Sequence, residues 1–345
     1  MSYIQTVTGK IDPSELGFTL MHEHILWDQT CYHEPIDESD PENAFLLRKI
    51  CIEDLGRIRG KMHAHRDNTI HTDPELSAKE ISLYAANGGK SFVDCSVYGC
   101  GRYPAVSRAV SEKTGVQIIQ GTGFYIGGSS PEVENMTVAE KEALMLKDLT
   151  VGMDDTGVKA GFMGELGVSE RFLPSEVDTL TAAGHVQAQT GAAIIIHQPG
   201  LMKYGHKILD ILQNNGTDLK KVQLSHCDPL LDDLDYLRSL ADRGVTLCFD
   251  QFALEFHLEI AGYRGIWLPR DADRIRTIAR LCELGYCRQV TMSMDLCFKV
   301  NYETYGGYGY RYIPKTILPL LKEAGVTDEQ LHTITVETPA RLLSI

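Results

Sequence analysis

Nowhere in the 345 residues does an apolar run reach the roughly 18 positions that a membrane-spanning helix needs. Basic charge is in deficit: 33 Lys and Arg stand against 47 Asp and Glu, a net charge of -14. A phosphate backbone or an anionic membrane surface demands a basic stripe, so neither nucleic acid nor membrane is an expected partner. No cysteine pair has the C-x-x-C spacing, and the nine cysteines are an odd number. The opening residues 1–6 offer neither a basic start nor an apolar core. No export signal is therefore expected, and the cysteines read as reduced thiols in a cytoplasmic protein. Low-complexity tracts and Pro/Gly-rich linkers are also missing, so residues 1–345 are expected to form a single domain.

What is present is a folded-protein composition, 43% apolar and 23% charged. A short apolar run, a loop and a helical stretch recur along the chain. The runs are 18–21, 91–95, 116–120, 161–164, 192–196, 222–225, 244–249 and 289–293. Helical patterns lie between them, as at 76–86, 137–149 and 178–189. Glycines that can end helices precede several runs, at Gly88, Gly115, Gly191, Gly244 and Gly285. Continuous apolar strands alternating with helices mean a parallel sheet covered on both faces. Eight such units in a chain of 345 residues favour an α/β fold of the closed (β/α)8 TIM-barrel type over an open sheet. About 70 residues separate the first run from the second, including the polar segment 31–41, so a long, partly helical insertion is expected after strand 1.

Chemistry in such barrels sits at the C-terminal ends of strands. Those ends carry His22 and His24, Glu165, His197, His226 and Asp295. Alternation along a strand places His22 and His24 on one side. Four imidazoles and two carboxylates converging on one mouth are an electrostatic misfit unless a cation holds them together. Such nitrogen and oxygen donors suit Zn²⁺, with Mn²⁺ and Co²⁺ as alternatives. The pair His63 and His65 has the same spacing as His22 and His24 but follows no apolar strand, and is read as a solvated face. His33, His71, His185, His206, His257 and His332 likewise lack strand-end context.

The stretch Thr19-Leu20-Met21-His22-Glu23-His24 resembles the opening of the phosphotriesterase family within the amidohydrolase superfamily. So do Gly164-Glu165-Leu166-Gly167, Ile196-His197, Ser225-His226, Met294-Asp295, the glycine–tyrosine run 306–310 and Glu337-Thr338-Pro339-Ala340. The resemblance implies a centre of two divalent metal ions, His22, His24 and Asp295 holding the more buried ion and His197 and His226 the more exposed one. Many members bridge the ions with a carboxylated lysine. Here Glu165 stands at that place, as in a glutamate-bridged subgroup, and Lys159 lies too early to substitute. A hydroxide shared by the ions would then attack the substrate, with Asp295 as the catalytic acid/base.

The expected substrate is a small molecule, first a carboxylic ester such as a lactone, possible sugar-acid lactones included. Phosphotriesters or phosphoesters and small N-acyl amides are the alternatives. A non-catalytic ligand-binding barrel ranks last, and a deaminase lacks its acid, because Gln198-Pro199-Gly200 follows His197. Asp228 is read as orienting a ligand or relaying the proton and Asp250 as the other relay candidate, and a loop cap is the alternative for each. Tyr98, Tyr125, Asp250 and Arg270 are the candidate substrate contacts. Around them stand Phe124, Phe252, Phe256, Tyr263, Arg264, Trp267, Lys299, Tyr302, Tyr305 and the run to Arg311, which equally fit loop packing or a subunit contact. A homodimer is compatible with the resemblance.

Overall fold

The computed structural model describes residues 2–258 and 266–345; Tyr263 and Arg264 lie outside the described residues. Eight strands pair in parallel, each beside the next in sequence. They are β1 (Thr19–Glu23), β2 (Ser91–Asp94), β3 (Gln117–Thr122), β4 (Phe162–Gly167), β5 (Ala193–His197), β6 (Val222–Leu224), β7 (Thr246–Phe249) and β8 (Val290–Met292). Across the β8–β1 gap the Asp295 N–H donates to the His22 carbonyl (3.2 Å), and the Ser293 hydroxyl accepts from the His22 N–H (2.9 Å). The sheet thus nearly closes on itself, and the expected (β/α)8 TIM barrel is the fold.

Helices fill the connections: α1 (Pro74–Ala85), α2 (Pro104–Thr114), α3 (Val138–Thr150), α4 (Pro174–Thr190), α5 (Gly205–Asn214), α6 (Leu234–Ala241) and α7 (Asp271–Glu283). Their ends are written locally. Thr137 and Glu140 form a reciprocal capping box at the start of α3, Thr137 Oγ1 accepting from the Glu140 N–H at 3.3 Å and Glu140 Oε2 accepting from the Thr137 N–H at 2.8 Å. Gly191 ends α4 at φ 70°, a left-handed conformation that glycine adopts without a Cβ penalty.

Alternation divides the strand side chains between two cores. Leu20, Phe92, Ile118, Ile194, Leu224 and Leu247 pack outward against the helices. Met21, Val93, Ile119, Phe162, Ile195 and Cys248 fill the interior with Ile4 and Leu342. The apolar filling closes the lower barrel, so polar side chains gather at the strands' C-terminal ends.

The insertion after β1 is irregular, as expected. It is a chain of short turns whose ends meet where Trp27–Asp28 pairs antiparallel with Ile70–His71. Its own core of Phe45, Leu46, Ile58 and Met62 docks on Cys297, Phe298 and Val300 after β8. Asp67 fastens this dock, accepting from Lys49 Nζ (2.7 Å), the Ile50 N–H (3.1 Å) and Lys299 Nζ (3.0 Å). Burial opposes its charge, but these donors hold its carboxyl down to about 2. A depressed acid stabilises the fold above its unfolded pKa and loses that contribution as the pH falls through the folded value. The stability gap between the native chain and Asp67→Asn, measured by denaturant melts, should therefore be full at pH 6 and close between about pH 4 and pH 2.

Candidate active site

All six strand-end residues meet at the barrel mouth. Two local irregularities aim them. Between β1 and β2, Leu20 lies opposite Phe92 but Glu23 opposite Asp94, so β1 carries one extra residue. Between β4 and β5, Met163 faces Ile194 but Leu166 faces Ile196, which places a second extra residue at Gly164-Glu165. Such bulges re-aim side chains at strand ends. Glycine makes the second one fit: a Cβ on Gly164 would lie 2.4 Å from the Ile195 carbonyl oxygen, and one on Gly121 would lie 1.8 Å from that of Gly164.

Glu165 is the hub. Its Oε2 lies 3.0 Å from His197 Nδ1, 3.3 Å from His22 Nε2 and 3.9 Å from His226 Nε2. Its Oε1 lies 3.5 Å from His24 Nε2. Asp295 Oδ1 is 3.3 Å from His24 Nε2 and 3.8 Å from His22 Nε2. Three of the four imidazoles are oriented from behind. Ser225 Oγ holds His22 Nδ1 at 2.7 Å, Ser96 Oγ holds His24 Nδ1 at 3.0 Å, and Asp250 Oδ1 holds His226 Nδ1 at 2.9 Å. The other ring nitrogens of these three therefore face the centre. His22 Nε2 is buried there with no hydrogen-bond partner.

Backbone strain marks the same place. His226 and Asp295 have φ of 56° and 46°, in the left-handed region that such residues rarely occupy. Asp250 over-determines the first by accepting from the His226 N–H (3.0 Å). Glu23 does so for the second. Its Oε1 accepts from the Met294 N–H (2.7 Å) and Ser293 Oγ (2.7 Å), and its Oε2 from the Leu296 N–H (3.0 Å). Burial pushes the Glu23 carboxyl up to about 7, against these three donors.

The electrostatics call for positive charge. Burial opposes ionisation of Glu165, yet His22 and His197 hold its carboxyl well below the usual range. Burial likewise opposes a charged His226, but Asp250 pushes it up to about 9. The clustered groups His22, His24 and Asp295, and His22, Glu165 and His226, bring donor atoms close enough to hold a metal ion.

The pocket above the cluster has a cavity volume of about 110 Å³. Trp27, Tyr32, Tyr125, Phe256 and Phe298 give it an aromatic wall; Gln29, Gln198 and Gln251 add neutral polar groups. Glu170 joins at the rim, and among the described residues no Lys or Arg lines it. Tyr125 stands in this wall, its hydroxyl 3.5 Å from His197 Nδ1 and 2.6 Å from that of Tyr32.

Three candidate substrate contacts are placed differently. Tyr98 stacks on Phe124 and turns its hydroxyl to Asp154 (3.3 Å), under the Arg102 guanidinium. Arg270 starts α7 with its side chain exposed outside the pocket. Asp250 is fully buried beneath His22 and His226, an orienting group rather than a substrate contact. Asp228 likewise sits below, accepting from the Asp250 N–H (3.1 Å) and pairing with Arg274. Of the loop residues, Phe252 and Tyr302 are core, Lys299 is tied to Asp67, and Trp267 is 78% exposed. The solvated reading of His63 and His65 is also overturned. Both are buried, and His63 lines the pocket edge-on to Phe298. Sequence reading missed them because their burial comes from docking of the insertion, which no strand pattern announces. Ser96 and Ser225 were missed too; the signal for Ser225 was its place beside His226.

The phosphotriesterase family model matches residues 2–343. The chain belongs to the phosphotriesterase family. A relative named N-acetyltaurine hydrolase from Dictyostelium discoideum is 32% identical, the match covering 99% of this chain and 98% of that one. Among solved structures, a resiniferatoxin-binding protein from Rhodobacter sphaeroides superposes with a TM-score of 0.94 at 34% identity, over 99% of this chain and 94% of that one. A lactonase from Listeria monocytogenes superposes with a TM-score of 0.77 at 25% identity, over 99% and 98%. As a member of this metal-dependent family, the protein is a hydrolase of small molecules. No helix among the described residues is long and apolar enough to cross a membrane.

Proposed function

We propose that this phosphotriesterase-family hydrolase cleaves a carboxylic acyl bond, a lactone or other ester first, at a centre of two divalent ions. His22, His24 and Asp295 would hold the more buried ion and His197 and His226 the outer one, with the Glu165 carboxylate between the two sets. The observation that carries this is the buried, unpartnered His22 Nε2 facing Glu165 and Asp295. The spacing supports it. Donors about 2.0–2.1 Å from one ion in tetrahedral array stand about 3.3 Å apart, and the donors around Glu165 and Asp295 stand 3.0–3.9 Å apart. Nitrogen and oxygen donors favour Zn²⁺, with Mn²⁺ or Co²⁺ as substitutes.

Bound there, the ions supply Lewis acidity toward the acyl oxygen and a water acidic enough to react near neutral pH. The chain's own groups do the rest. Asp295 takes the proton of the attacking water at its carboxylate and delivers it to the leaving oxygen. Its side chain keeps 14% exposure, against 4% for Glu165 and none for Asp250, so of these carboxylates it is the most open to the pocket. Asp250 fixes His226 and His22 in place. The aromatic, largely neutral wall suits a neutral acyl compound better than an anionic phosphoester. N-acyl amide hydrolysis is the second reading, favoured by the name of the Dictyostelium relative at 32% identity. The whole chain acts as one domain, and its nine free thiols suit a reducing cytoplasm.

Assay of the metal-loaded protein against lactones, paraoxon-like triesters and N-acyl compounds tests the reading. Lactones should turn over fastest; fastest turnover of triesters would overturn it, and of N-acyl compounds would promote the amide reading. A glutamate bridge also needs no CO₂. Metal reconstitution should restore the same activity with or without bicarbonate, whereas a strong bicarbonate requirement would put a carboxylated lysine in place of Glu165.

A further inference from the structure

The loop after β2 brings a sulfur atom to the same centre. Cys100 Sγ lies 4.0 Å from Glu165 Oε1, and His24, Cys100 and Glu165 offer donor atoms all within 4.8 Å of one another. All three residues are buried. Two glycines press this loop inward. Gly99 and Gly101 have φ of 101° and 105°. A Cβ on Gly99 would lie 2.1 Å from Ser129 Oγ, and one on Gly101 would lie 3.0 Å from Trp27 Cα. With no side chain at either position, the Asp28 N–H reaches the Cys100 carbonyl (2.9 Å) and locks the loop against the insertion. The thiol's remaining partners are the Val97 N–H at 3.3 Å and the Val97 carbonyl at 3.7 Å. The unpartnered His22 Nε2 faces the other oxygen of the same Glu165 carboxylate at 3.3 Å.

We propose that Cys100 is a sulfur ligand to the ion held by His24 and Glu165, and that it biases this position toward thiophilic Zn²⁺ or Cd²⁺ over Mn²⁺ and Mg²⁺. The inference rests on the two-ion reading above. Beside His22, His24, Asp295 and Glu165 the sulfur would be a fifth protein donor, and a sulfur about 2.3 Å and an oxygen about 2.1 Å from a five-coordinate ion stand about 3.8 Å apart at about 120°. The longer metal–sulfur bond therefore suits the wider Cys100–Glu165 spacing better than a third imidazole or carboxylate would. On binding, the S–H bond breaks, its proton leaves to solvent, and the sulfur pair forms the bond to the ion; nothing is oxidised or reduced. Thiolate donors select soft and borderline ions, while Mn²⁺ and Mg²⁺ prefer oxygen.

The test loads the full chain with Cd²⁺ or Co²⁺, counts ions per chain and records the ultraviolet thiolate-to-metal charge-transfer band. The native chain and the control Cys297→Ser, which removes the other pocket-lining thiol, should both show the band; Cys100→Ser should lack it. In Cys100→Ser the preference for Zn²⁺ over Mn²⁺ in competition should fall, because the donor that selects the softer ion is gone. X-ray absorption of the native zinc protein needs no variant and should show a sulfur neighbour at about 2.3 Å. Two ions per chain without a band or a sulfur neighbour overturns the role of Cys100 and leaves the two-ion reading standing. A band that survives in Cys100→Ser and vanishes in Cys297→Ser overturns it as well. Failure to bind ions at all removes both.

Discussion

Asp295→Asn should lower kcat by about 10²–10⁴-fold while the protein keeps its ions, the usual scale for losing a positioned acid/base. An asparagine can still give an oxygen to a metal, but it cannot accept and return a proton. Geometry protects the comparison. Met294 and Leu296, on either side of Asp295, both donate their N–H groups to Glu23, and the Asp295 N–H is bonded to the His22 carbonyl. The substituted side chain should therefore sit where the carboxylate sat. Steady-state kinetics on the best lactone, with metal content measured on the same samples, gives the answer. A loss smaller than about tenfold with both ions present would move the proton-carrying role away from Asp295.

Arg274→Met should cost about 3–5 kcal/mol of stability, the scale for breaking a buried ion pair. The guanidinium is fully buried. Its Nε donates to Asp228 Oδ1 at 2.6 Å, and its Nη1 to Asp271 Oδ1 at 2.8 Å. Methionine fills the space and leaves two carboxylates buried without their cation. Burial already pushes the Asp228 carboxyl up to about 6 with Arg274 beside it. Without the arginine it rises further. An acid raised in the folded state favours folding at low pH and disfavours it as the pH climbs through its folded value. The deficit should thus be larger at pH 8 than at pH 5, and Asp228→Asn added to Arg274→Met should recover part of it. Denaturant melts at the two pH values read both effects; a deficit that does not change with pH, or no recovery in the double variant, contradicts this account.

The barrel was legible because its signals are local. Apolar runs such as 192–196 and helix-ending glycines such as Gly191 follow from strand burial and left-handed caps, which do not depend on the rest of the fold. The six strand-end residues were legible for a related reason: a barrel turns one end of every strand toward one mouth. The pocket wall was not. His63 reaches it only because Phe45, Leu46, Ile58 and Met62 dock on the loop after β8, a contact between segments more than 200 positions apart with no periodicity to betray it. Positions after strands mark Tyr98 and Arg270 as candidate substrate contacts. Yet a loop's path decides where its side chains point: Arg102 and Asp154 claim the first, and solvent surrounds the second.

Diffraction from crystals grown with zinc, with anomalous data collected at the zinc edge, tests the centre most directly. Two zinc peaks are expected on either side of the Glu165 carboxylate. One should lie within bonding distance of His22, His24 and Asp295, the other within bonding distance of His197 and His226. Crystals of zinc-loaded protein with no ion among these residues, or with zinc bound only elsewhere, would contradict the account.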